Sequence, residues 1–262
     1  MASGPAIARS GAPVHTIGKI SVADLWDALA KGYDDFKALP THAVFLAIVY
    51  PILGLLLLRF AQGRSLLPMI FPLIAGFALV GPLAAVGLYE LSRRREQGLA
   101  VTGRHVYDVW HKRCGSTCLL LGAGLLFIFF LWLLTARAVY FSAFGDAVPA
   151  SFGDLMRMVF TTPEGRMLIV TGNLIGFVFA VLVFTLSVVS FPMVLDRKVS
   201  AATAMSTSLR AVAANPLPLA VWGMIIAAGL AIGSLPLFIG LIVVVPILGH
   251  ASWHLYRKLV PD

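Results

Sequence analysis

The sequence predicts an all-α, polytopic membrane protein with six transmembrane helices and amphipathic elbow helices at the interface. Three observations predict it. Hydrophobic residues make up 59% of the 262, and charged residues only 12%, where a soluble domain carries about 45–50% and about 25%. The apolar residues gather into blocks long enough to cross about 30 Å of hydrocarbon. Lys and Arg recur on alternate connections between those blocks. With a mean hydropathy of +0.91, an ordinary soluble globular protein and a disordered chain are both excluded. Two Cys exclude a disulfide scaffold. The formal charge of +8 is read as membrane topology rather than as nucleic-acid binding.

Residues 1–20 are rich in Gly, Ala, Pro and Ser and hold no apolar core, so they read as a short disordered cytoplasmic tail and not a signal peptide. Residues 21–258 read as one transmembrane domain. Its first element is an elbow over Ser21–Leu39. Val22, Leu25, Trp26, Leu29, Tyr33 and Phe36 recur at helical spacing. Ser21 is a plausible N-cap, with Asp24 near the positive end of the helix dipole. Four Asp against two Lys leave this helix acidic. That disfavours anionic lipid and favours packing on the protein itself or on another membrane protein.

The spans are expected at 42–60, 66–89, 117–138, 167–191, 218–232 and 235–253. The last two come from dividing the uncharged block Leu217–Gly249 at Gly233-Ser234-Leu235-Pro236. Undivided, its helix would run roughly 50 Å. Further elbows are expected at Ser151–Thr162 and Ser200–Ala214, with a shorter helix at Val106–Trp110. Placing both termini in the cytoplasm leaves only Arg59, Arg64, Arg137, Arg157 and Arg166 outside, out of 20 Lys and Arg. That is the positive-inside pattern. A half-chain echo, Ser21-Val22-Ala23-Asp24-Leu25 with Ser151-Phe152-Gly153-Asp154-Leu155, sits at cap-like positions, where chance identities are easy.

Chemistry-bearing residues are few. His105, His111, Cys114 and Cys118 lie close together, the last three on one helical face. Tight Cys pairs of the structural zinc type are missing, and a disulfide is not expected in a reducing cytoplasm. His250 and His254 are four apart near the end of span six, but the other spans offer no facing His for a haem. Glu90 stands before Arg93-Arg94-Arg95 and is expected to pair with them. Asn173 is the main polar group inside span four. Asp34-Asp35 is expected on the polar face of the first elbow. Gly172 and Gly176 form a close-packing pair. No charge falls in the middle of a span, and no nucleophile, base and orienter set is present.

Three stretches carry a resemblance. They are Leu25-Trp26-x-Ala28-Leu29-x-x-Gly32-x-x-Asp35-Phe36; Gly81-Pro82 with Gly87-Leu88-Tyr89-Glu90-x-Ser92-Arg93; and Ser190-Phe191-Pro192-Met193-x-Leu195-Asp196-Arg197, followed by Asn215-Pro216 and Trp222. Together they resemble an uncharacterised proteobacterial family of integral membrane proteins, a domain of unknown function. The resemblance implies a six-span inner-membrane protein and no catalytic residues. Some members carry an oxidase-subunit label, which the His inventory here argues against.

The sequence therefore leads to a non-enzymatic scaffold, assembly or accessory factor without a cofactor or metal. The lipid bilayer is its first partner, with other membrane proteins meeting the 21–39 elbow, and no nucleic acid. Oligomeric state is open. The alternatives are a transporter of a small neutral or lipid-like solute, and a lipid-acting enzyme using Glu90, His105 and His250.

Overall fold

The computed structural model describes residues 15–39, 48, 52, 54–56, 59, 64–79, 81–109 and 114–261. Most of the expected span 42–60, and His111, lie outside the described residues. Among the described residues all regular structure is helical: α1 (Val22–Ala38), a 3-10 turn (Arg64–Met69), α2 (Ile70–Leu79), α3 (Gly81–Ala84), α4 (Val86–Glu96), α5 (Arg104–Val109), α6 (Gly115–Phe144), α7 (Phe152–Thr161), α8 (Pro163–Ser187), α9 (Ser190–Arg197), α10 (Ala201–Ala214), α11 (Pro216–Ser234) and α12 (Leu241–Leu259).

Three stretches among the described residues are long and apolar enough to cross a membrane: Gly115–Phe144, Pro163–Arg197 and Pro216–Ser234. Their surfaces invert the soluble pattern. Leu119, Leu120, Phe127 and Phe130 of α6, and Leu174 and Phe177 of α8, are all exposed. An apolar belt this extensive belongs in lipid rather than water.

The expected second span, 66–89, is divided rather than continuous. Pro68, Pro72 and Pro82 each lack an N–H, so the segment passes through the 3-10 turn and three helices before reaching Glu96. The helix expected as a sixth span starts later than the sequence predicts. Pro236 and the left-handed residues Leu237 (φ 50°) and Phe238 (φ 66°) keep 235–240 in turns, and α12 begins at Leu241. Residues this bulky pay for φ > 0, so the turn is held by its context. The fourth span breaks at Val188-Val189, between α8 and α9. Ser208 of α10 enters the backbone ladder there. Its Oγ accepts from the Val189 N–H at 3.3 Å and donates to the Thr185 carbonyl at 2.7 Å, which links the two groups an unbroken helix would join directly.

The helix ends sort into two layers. One is apolar, where Leu67 and Ile70 meet Tyr140, Leu155 and Val159. It joins the start of α2, the end of α6, and α7. Helix α7 packs by Leu155 and Val159 and leaves Phe152 and Phe160 exposed. Its cap is as expected: Ser151 Oγ accepts from the Asp154 N–H at 3.1 Å. The other layer is polar and gathers α1 with the ends of α4, α9 and α12 and the start of α11. Helix α1 lies antiparallel to the second half of α12: Asp24 pairs with Lys258, Gly32 abuts Ala251, and Asp35 meets His254.

The two ends of the described chain also meet in that polar layer. Asn215 grips the N-terminal segment, its Oδ1 accepting from the Ile20 N–H at 2.9 Å and its Nδ2 donating to the Gly18 carbonyl at 3.0 Å. Arg197 donates to His15 Nδ1 at 3.2 Å and to the Pro261 carbonyl at 2.8 Å.

Candidate functional site

The polar layer is centred on Asp35. Helix α1 presents only part of the face the apolar spacing predicts: Leu25, Leu29 and Phe36 pack inward, but the other three do not. Leu25, Ala28, Gly32 and Asp35 point inward, while Trp26 (62% exposed), Tyr33 (50%) and Val22 (40%) point outward. Asp35, expected on the polar face, is instead 3% exposed. Two helices approach closely only where side chains are small. The Ala28–Gly32 stripe brings α1 onto α12 and inserts the Asp35 carboxylate between α12 and α4.

Asp35 Oδ2 accepts from Ser92 Oγ at 2.6 Å and lies 2.9 Å from His254 Nε2. Oδ1 pairs with Arg95. Ser92 Oγ is also 2.7 Å from His250 Nδ1. His250 and Ser92 are fully buried. Burial pushes the Asp35 carboxyl up, but the hydrogen bonds from His254, Ser92 and Arg95 more than offset it and hold the carboxyl below its ordinary value.

Around this centre lies a second set of ion pairs. Arg93 grips Glu90 through Nε and Nη2, both at 2.7 Å, and its Nη1 reaches Gln97 at 2.6 Å. Glu96 accepts from Trp253 Nε1 at 3.0 Å and from Arg257 at 3.3 Å. Asp196 accepts from Tyr256 OH at 2.9 Å and from Arg257 at 3.3 Å. Buried charges therefore exist in this chain at helix ends: Asp35, Glu90 and Arg93. Each is paired, as a low-dielectric site requires. The sequence shows no charge in the middle of a span, and tertiary packing buries these three in the polar layer instead.

Lys258 bridges Asp24 at 2.6 Å and Asp27 at 2.9 Å. Its hydrogen bond is the main cause that holds both carboxyls below the ordinary 3.8, with Ser21 helping at Asp24 and Lys31 at Asp27. A carboxyl more acidic folded than unfolded stabilises the fold above its unfolded value and loses that contribution as pH falls. The thermal midpoint in detergent is thus expected to drop as pH is lowered below about 4. Lys258→Met should lower the midpoint near neutral pH and flatten the acid-side slope; an unchanged slope would remove this bridge as its cause.

The other predicted residues separate. Glu90 pairs with Arg93 and Arg94 as expected, while Arg95 goes to Asp35. His105 stays local, its Nδ1 accepting from the Thr102 N–H at 3.0 Å. Cys114 and Cys118, expected as separate small residues, are joined as a disulfide. Asn173 is on the exposed side of α8 and donates to the Ile169 carbonyl of its own helix, 2.7 Å away. Gly172 has open space where a Cβ would be, while Gly176 faces Trp132; only the second serves close packing. Among the described residues, no group of three metal-ligating side chains is arranged to hold an ion. Sequence reasoning missed Asp35, Ser92, Arg95, Glu96 and Asp196. The available signal for Asp35 was the spacing Leu25, Ala28, Gly32, Asp35, a small-residue stripe that ends in a carboxylate.

An exposed apolar belt over three spanning-length stretches, with the buried ion pairs gathered in one layer of helix ends, defines an integral membrane protein. Residues 70–196 match the family model DUF2189, described as a predicted integral membrane protein. That is the kind of family the sequence motifs resemble, a domain of unknown function; the Gly81–Arg93 stretch falls inside the match and the Leu25–Phe36 stretch outside it. No curated protein and no solved structure matches the chain.

Proposed function

We propose that this protein is a non-enzymatic scaffold or accessory factor of the cytoplasmic membrane, with six crossings, both termini in the cytoplasm, and α1 as its docking element. One observation carries the reading: α1 is fastened to α12 by its small-residue face while Val22, Trp26 and Tyr33 stay exposed on the other side. Exposed aromatics beside a rigid support suit a protein contact, because Trp and Tyr dominate such interfaces. Lys37 lies over the Tyr33 ring at 4.7 Å and pairs with Asp34 at 2.9 Å. Most of the acidic charge of α1 is answered internally, by Lys258 and Arg95, so the outward face is less acidic than the sequence suggests. The meeting of His15 and Pro261 at Arg197 supports an even number of crossings.

Native-membrane purification in mild detergent tests the reading. A stoichiometric membrane-protein partner is expected with the wild type. Trp26→Ala with Tyr33→Ala should reduce its recovery at least tenfold without lowering the thermal midpoint, since a loss of about 1.4 kcal/mol is a factor of ten. Equal recovery from the double variant would exclude α1 as the docking element.

A further inference from the structure

The hydrogen-bonded line through the polar layer has a direction. Asp35 accepts from Arg95 on one oxygen and is contacted by Ser92 and His254 on the other. A carboxylate with these neighbours is ionised and can only accept. Ser92 therefore gives its single hydroxyl proton to Asp35. The 2.7 Å contact from Ser92 Oγ to His250 Nδ1 then needs a proton from the ring, so His250 carries Nδ1–H. A neutral imidazole has one N–H, which leaves Nε2 bare. That atom is buried and has no hydrogen-bond partner, whereas the His254 end of the line is partly exposed.

We propose that His250, Ser92 and Asp35 form a proton-binding relay with Nε2 of His250 as its buried base. A proton arriving at Nε2 forms a new N–H bond. The Nδ1–H bond breaks, and that proton passes to Ser92 Oγ. The original Ser92 hydroxyl proton passes to Asp35 Oδ2. One proton has entered, the ring is again neutral as the Nε2–H tautomer, and the carboxylate has become a carboxylic acid. The relay spares the low-dielectric ring a positive charge, which is costly there, and places the charge change on Asp35. The charged and titratable groups facing the ring are Asp35 from α1, Arg95 from α4, and His254 from α12 itself. Protonated Asp35 no longer attracts Arg95 as an ion, so proton uptake loosens α1 from α4. Chains of acid and His inside membrane proteins commonly serve proton transfer.

The test uses the full chain in neutral phosphatidylcholine vesicles, isotope-labelled in the histidine ring nitrogens, with solid-state NMR and infrared difference spectra. The His250 signals are those lost in His250→Gln. Near neutral pH, Nδ1 is expected to be protonated and Nε2 bare. On acidification the ring should switch to the Nε2–H tautomer while a carboxylic-acid vibration appears. Asp35→Asn should lose that vibration and the bound proton with it. Ser92→Ala should uncouple the ring switch from the vibration, and Ser92→Thr, which keeps the hydroxyl, should restore the coupling. A protonated Nε2 in the wild type near neutral pH overturns the proposal without recourse to any variant. So does an imidazolium protonated on both nitrogens after acidification, or a coupled switch that survives Ser92→Ala.

Discussion

Glu90→Ala is expected to destabilise the protein by about 3–5 kcal/mol, the usual cost of leaving one partner of a buried pair uncompensated. Glu90 is 4% exposed and Arg93 1%. The guanidinium would keep only Gln97 as a side-chain hydrogen-bond acceptor, with no bulk water to replace the carboxylate. Denaturation in detergent micelles reads the effect. Two comparisons separate charge burial from general damage. Arg157→Ala breaks an exposed pair with Asp154 and should cost at most about 1 kcal/mol. Replacing both Glu90→Leu and Arg93→Met should recover much of the loss, because a buried pair is often no better than apolar side chains of similar volume. If Glu90→Ala costs no more than Arg157→Ala, the pair is not desolvated and the polar layer is not a sealed one.

Gly32→Val is expected to be nearly as damaging for a different reason. A Cβ at Gly32 would stand 2.6 Å from the Ala251 nitrogen, 2.7 Å from its Cβ and 2.8 Å from its Cα. Two of these are backbone atoms of α12, so no rotamer change relieves the clash. The helices must part, at a cost toward or above the top of the roughly 1–3 kcal/mol of ordinary overpacking. The parting also pulls Asp35 from Ser92 and His254. Ala30→Val on the exposed side of α1 is the control and should cost only about 0.5 kcal/mol in helix propensity. Equal midpoints for the two variants would mean that α1 does not rest on α12.

The membrane class and the approximate places of most helices were legible because they depend on local quantities. Apolar runs, cap-like positions such as Ser151 and breakers such as Pro236 act over a few residues, and these gave α6, α7, α8, α10 and α11 near where they occur. The split of the last apolar block was legible for the same reason, although the restart at Leu241 was not. That restart depends on the left-handed Leu237 and Phe238, residues which carry no sequence preference for such a conformation.

The sequence by itself determined that this is an all-helical membrane protein with a family resemblance and few titratable groups. Hydrophobic burial and chain stiffness act along the chain, and a reader can sum them from composition and spacing. Only the tertiary structure decided that the inward face of α1 turns through Ala28, Gly32 and Asp35, and therefore that Asp35 joins Ser92, His250 and His254. Residues 35 and 254 are far apart in sequence, and nothing local distinguishes a buried carboxylate from a solvated one. The decision rests on a steric fact about two helices: Gly32 and Ala251 permit an approach that larger side chains forbid. At that distance water is excluded, and Asp35 finds its partners on α12 and α4 instead.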